Sequence, residues 1–162
     1  MEVLIADIHA DLQYLEKEKN SIVRKLKRLE TEKDFENIDS HIKAIAGSLH
    51  SIYTGCENIL ERIIRTIDGD LPLGKDYHAV LLRRASIPID AVRPQIITVE
   101  TFAKLDELRA YRHKFRNVYL YLITPARIIE LANEGISIVE QFSQDINNFC
   151  AYIQNPQQNS EK

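Results

Sequence analysis

Residues 108–119 read Leu-Arg-Ala-Tyr-Arg-His-Lys-Phe-Arg-Asn-Val-Tyr, a run dense in guanidinium, imidazole, amide and phenol groups. On a helix turning about 100° per residue, Arg112, Arg116 and Tyr119 share one stripe, because offsets of four and seven return to the same face. His113 and Asn117 form a second stripe, about 100° around from the first. Guanidinium forks match the oxygens of a phosphodiester and can stabilise the extra charge of a pentacoordinate phosphorus. An imidazole beside them adds a group able to exchange protons near neutral pH. The chemistry this set can do is to grip a nucleic acid or a nucleotide.

Each residue also has a plainer reading. Arg112 can be a structural ion-pair partner, with Glu57 or Glu61 as the acid. Arg109 and Arg116 are phosphate contacts or solvated charges, His113 a surface or interhelical histidine, and Tyr119 a buried aromatic with a satisfied hydroxyl. Tyr77 and His78, farther up the chain, read as packing contacts on a short helix. Cys56 and Cys150 have no paired spacing and read as buried free thiols.

The elements that must position this run are helical throughout. Leu4, Ile8, Leu12, Leu15, Ile22, Leu26 and Leu29 recur at three-to-four spacing, predicting an amphipathic helix over about 4–32. Its interleaved charges are mixed in sign, the mark of a solvated face. A second helix is expected from about 37 to 67, with Ile38, Ile42, Ile45, Leu49, Ile52, Ile59, Ile63 and Ile67 inward and Asp68-Gly69 as its stop. Pro72 and Gly74 mark a loop, and Asp76 is placed to cap a short helix ending near Ala85. Pro88 and Pro94 punctuate the connection to a helix over about 99–122 that carries the basic run. Pro125 opens a last helix reaching about Ile153. The Gln/Asn/Ser-rich residues 154–162 read as a disordered tail. No strand-period alternation and no internal repeat is present, so the fold class is all-α, an up-and-down bundle of four to five helices.

Composition sets the outer limits. The chain has 162 residues, enough for one domain (1–153) with a real core. A formal net charge of −3 means that affinity for a polyanion must come from a local basic patch. Nothing approaches the roughly 18 apolar residues of a membrane span, and the start lacks a signal-peptide pattern. Unpaired cysteines fit a reducing compartment, so a cytoplasmic location and no membrane partner are expected. There is no zinc, P-loop or Rossmann signature, hence no cofactor or metal is expected.

Arg112, the polar His113, position 117 and Tyr119 also resemble the motif of the HEPN superfamily: an Arg, a polar residue, a His five positions after the Arg and, in HepT-like toxins, a Tyr two residues later. Here position 117 is Asn rather than His. The run from Ser51 to Ile63, then Asp68-Gly69, Pro72, Gly74, Tyr77-His78, Leu81-Leu82 and Arg93-Pro94 resemble the same proteins in the same order, over about residues 38–153. The resemblance implies a HEPN-like bundle acting as a homodimer, with two motif helices facing across a cleft. It also implies metal-independent cleavage of RNA by a toxin of a toxin–antitoxin module, with Arg112 stabilising charge. The neighbouring partner would be a minimal nucleotidyltransferase antitoxin that silences the toxin by transferring AMP to Tyr119.

The departure falls on the residue that moves the proton. An amide cannot accept or release one near neutral pH, and losing that help typically costs about two to four decades of rate. Two function classes remain at this point. One is a ribonuclease toxin, possessing weakened activity, with Arg112, Asn117 and His113 as the catalytic set and Arg109 and Arg116 binding RNA. The other is a non-catalytic helical adaptor that partners a nucleotidyltransferase.

Overall fold

The structure, a computed structural model, describes residues 1–116 and 123–155, without the side chains of His113, Phe115 and Arg116. Five helices appear among the described residues: α1 (Glu2–Leu29), α2 (Phe35–Ile67), α3 (Tyr77–Ala85), α4 (Val99–Arg116) and α5 (Pro125–Gln154). The expected all-α bundle is present. Residues 117–122, where the motif helix was expected to end, and 156–162 of the expected tail lie outside the described residues.

The first turn of chain comes earlier than expected, at Glu30 rather than near Glu32. The Glu32 carboxylate accepts from the backbone N–H groups of Lys33 and Asp34, both at 2.9 Å. Asp34 in turn caps α2 by accepting from Asn37 N at 2.9 Å. With Glu32 holding the linker backbone and Asp34 already the N-cap of α2, α1 does not continue past Leu29. At the other end of α2, Asp68 is the C-cap and Gly69 follows at φ +88°, the left-handed conformation that glycine adopts without a Cβ penalty. Asp76 holds the N-cap position of α3 but its side chain makes no cap bond, contrary to expectation. Pro125 starts α5 as expected, with Thr124 accepting from Arg127 N at 3.3 Å.

α2 is the hub, touching each of the other four helices. Its expected inward residues Ile42, Ile45, Leu49, Ile52, Ile59 and Ile63 are buried, while Ile38 and Ile67 are partly so. Its central position buries a second, wider face as well: Tyr53, Cys56, Glu57, Leu60 and Ile64. Full burial of each large aliphatic contributes about 1.5–3 kcal/mol, so this helix supplies much of the core. α5 approaches it closely at Gly135, where a Cβ would stand 2.6 Å from Leu49 Cδ2.

Two polar devices fix α3 to this hub and the start of α4 to α5. Arg93, from the loop after α3, is fully buried and spends its whole guanidinium on protein acceptors. Nε and Nη2 donate to the two oxygens of buried Asp68 at 2.7 and 2.9 Å. Nη1 donates to the carbonyls of Ile87 and Pro94, and Nη2 also to that of Arg84, at 3.0–3.1 Å. Arg84 of α3 adds a bond from Nε to Asp68 at 2.9 Å. The end of α2 is thereby tied to α3 and to the connection beyond it. At the start of α4, Asp145 Oδ2 of α5 accepts from Thr98 N, Thr98 Oγ1 and Thr101 Oγ1 at 2.8, 3.0 and 2.6 Å.

Cys56 and Cys150 are free and buried, as expected. Among the described residues no helix is long and apolar enough to cross a membrane.

Removing one member of a buried, fully bonded ion pair leaves an uncompensated charge, which costs about 3–5 kcal/mol. Asp68→Ala is therefore expected to destabilise the protein by about that amount in urea unfolding. A loss below about 1 kcal/mol contradicts the role assigned to the Asp68–Arg93 pair.

Candidate functional site beneath the basic helix

On α4, Thr101, Leu105 and Leu108 are buried, with Leu105 and Leu108 at most 1% exposed. Steps of four and three carry that inward stripe one turn further, to Arg112. Arg112 is thus set on the core-facing side of its helix by register alone. The facing surface of α2 is the stripe Tyr53, Glu57, Leu60 and Ile64, also at steps of four and three. Where the two stripes meet, α3 closes the third side, since α2, α3 and α4 contact one another pairwise. The basic end of α4 consequently rests on the one carboxylate of an otherwise apolar-to-aromatic face.

That carboxylate is Glu57, whose side chain is 5% exposed. Tyr53 Oη donates to Glu57 Oε1 at 2.6 Å. His78 Nδ1 of α3 lies 2.5 Å from the same oxygen. A buried carboxylate needs donors, so Nδ1 is assigned the proton, which leaves Nε2 as the second, outward-available nitrogen of the ring. Arg112 Nε stands 3.9 Å from Glu57 Oε2, an ion pair without a hydrogen bond. The Arg112 side chain is 24% exposed, yet its Nε is shielded and lacks a hydrogen-bond partner among the described residues. Of the two partners the sequence left open for Arg112, it is Glu57 that the structure brings to it.

The electrostatics follow from this packing. Burial, then the bond to Glu57, pushes the Tyr53 hydroxyl well above the ordinary tyrosine range, so it stays a donor. Burial likewise pushes the Cys56 thiol up, holding it in the unreactive protonated form. Arg109 is raised, mainly by its bond to Asp106 at 2.7 Å, and adds positive potential toward Tyr53 and Glu57. Beyond Arg112, Tyr111 accepts from Arg127 Nε at 3.2 Å, and the Arg127 guanidinium stacks 5.2 Å from the Tyr111 ring centre. The start of α5 is thus pinned to the last described turns of α4.

Of the residues singled out in the sequence, Arg112 sits in this network and Arg109 beside it, held by Asp106. The side chains of His113 and Arg116 lie outside the described residues, as do Asn117 and Tyr119 entirely. Three members were missed: Tyr53 was not singled out at all. His78 was expected to be a packing contact, and Glu57 appeared only as one of two acids for Arg112. A readable signal existed for Glu57: it is the charged residue on a stripe of otherwise apolar and aromatic positions. Nothing in the short stretch around His78 predicts its partner, because the two are 21 residues apart.

Open concavities lie elsewhere. A groove of about 340 Å³ between α1 and α2 is lined by Asp11, Tyr14, His50 and Asn58 among others, with no Lys or Arg. Such a lining does not suit a polyanion. A second concavity of about 280 Å³ does hold Arg62 and Arg65, beside Glu61, but its Arg62 is bound to Asp7 and Asp11. The basic end of α4 is the candidate site because it carries the family-like run.

The family described as HepT-like protein matches residues 44–153. The chain belongs to this family. The matched span runs from the first buried turns of α2 to the end of α5 and leaves α1 outside. No curated protein and no solved structure matches the chain.

If Tyr53 is a principal donor to the buried carboxylate, Tyr53→Phe removes a charge-assisted hydrogen bond and little volume. A loss of about 1.5–3 kcal/mol is expected, seen as a lower urea midpoint at unchanged slope. An unchanged midpoint contradicts the assignment of Tyr53 as that donor.

Proposed function

We propose that this protein is an RNA-binding, HEPN-type endoribonuclease toxin that works without a metal ion, with activity weakened by Asn117. The observation that carries the reading is the state of Arg112. Its Nη nitrogens make no hydrogen bond among the described residues, while buried Glu57 anchors the guanidinium from its other side. An arginine fork held in place yet unspent is suited to a phosphodiester. Arg109 and Arg116 would add positive charge for flanking phosphates, against a net charge of −3 that makes a local patch necessary.

In the proposed reaction Arg112 stabilises the charge that develops on phosphorus as the 2′-hydroxyl attacks. Asn117 hydrogen-bonds the phosphate or the 2′-hydroxyl but cannot take the proton, and His113 is the imidazole nearest to it in sequence. Family membership supports the setting: a second copy of the chain completing the cleft, and a minimal nucleotidyltransferase as antitoxin. AMP on Tyr119 would compete with RNA for Arg112 by charge and by bulk.

The amide at position 117 favours one other reading, a binding or adaptor protein that kept the scaffold and lost the chemistry. One substitution separates the two. Asn117→His restores a proton-exchanging group at little change in volume. It is expected to raise cleavage of a labelled RNA by at least about tenfold, within the two to four decades typical of a positioned acid or base. Cleavage by neither the parent nor this variant, with the fold intact by circular dichroism, favours the adaptor.

A further inference from the structure

Glu57 and His78 form a carboxylate–imidazole pair that the motif does not include. Glu57 is buried and shared between Tyr53 and His78, while the His78 side chain is 32% exposed. With Nδ1 committed to Glu57 Oε1, the ring orientation and the tautomer are both fixed. Nε2 makes no hydrogen bond among the described residues. The same carboxylate holds Arg112 by its second oxygen, so the imidazole and the guanidinium are adjacent through one anchoring group. The Tyr77 ring stands edge-on to the imidazole at 5.3 Å and limits its rotation. A fixed imidazole whose Nε2 meets no partner among the described residues, next to a guanidinium whose Nε meets none there either, has the parts of a general base beside an oxyanion stabiliser.

We propose that His78 is a catalytic base for RNA cleavage in this chain, and that Glu57 is the residue that positions both His78 and Arg112. The proposal rests on the ribonuclease reading above. In the step, His78 Nε2 takes the proton of the 2′-hydroxyl as the 2′-oxygen bonds to phosphorus. The bond from phosphorus to the 5′-oxygen breaks, and that oxygen takes a proton from water. The products are a 2′,3′-cyclic phosphate end and a 5′-hydroxyl end, and the protonated imidazole returns its proton to solvent. The substrate class is RNA, since DNA lacks the attacking hydroxyl.

The test uses the full chain, a labelled single-stranded RNA and the variants His78→Gln and His78→Ala. Gln keeps a donor for Glu57 without proton exchange, which guards against a mere folding defect. Expected is a loss of cleavage of about a hundredfold or more in both variants, with RNA affinity within about twofold of the parent. Free imidazole in the buffer should restore cleavage in His78→Ala, a rescue that a purely structural role does not produce. Cleavage by His78→Gln at the parental rate overturns the proposal and leaves the ribonuclease reading in place. A parent that does not cleave, alongside an Asn117→His variant that does, also overturns it while the wider reading stands. If neither cleaves, both fall.

Discussion

A carboxylate buried where three helices meet is the constraint on which the rest of the site depends. Left without donors, Glu57 would cost several kcal/mol, a large share of the stability of a marginally stable domain. The fold meets that demand from three elements: Tyr53 one turn earlier on α2, His78 on α3 and Arg112 on α4. Satisfying one acid therefore requires α3 and α4 to converge on the middle of α2. The Asp68–Arg93 pair and the Asp145–threonine cluster hold the far ends of those helices so that the convergence is kept.

The two buried arginine–carboxylate pairs differ in a way that separates scaffold from site. Arg93 donates from Nε and both Nη nitrogens and is closed to any ligand. Arg112 sits at ion-pair distance from Glu57 with its Nε unbonded, and its fork is unused among the described residues. A buried polar atom without a partner is uncommon and calls for an explanation. A phosphate that draws the guanidinium into register supplies one. Glu57, 3.9 Å from Arg112 Nε, then acts as the counter-charge on the buried side of the guanidinium.

Much of this was legible in the sequence, because helix periods, proline and glycine punctuation and the Arg112–Tyr119 spacing are local signals. The inward faces of α1 and α2 follow from Leu4 to Ile22 and from Ile42 to Ile63 almost residue by residue. The less legible parts have physical causes. The end of α1 falls at Leu29, the last residue of its apolar period, and the linker beyond it is set by Glu32 binding backbone N–H groups and by Asp34 capping α2. The second buried face of α2 arises because that helix is central, and a hub is a property of the assembled bundle. The Glu57–His78 bond joins residues on different helices, and the structural role of Arg93 shows only when the acceptors of its five N–H groups are counted.

The central claim is that Arg112 is aimed at an RNA phosphate, and counterion release measures this directly. The affinity of the protein for a single-stranded RNA, followed against salt, gives a slope set by the number of phosphates neutralised. Arg112→Gln keeps a polar side chain without the charge. Its slope should be shallower than that of the parent by about 0.7, the loss of one phosphate contact on a single strand, together with weaker binding at every salt concentration. Parallel slopes and equal affinities for the two proteins would contradict the claim and assign Arg112 to the scaffold alone.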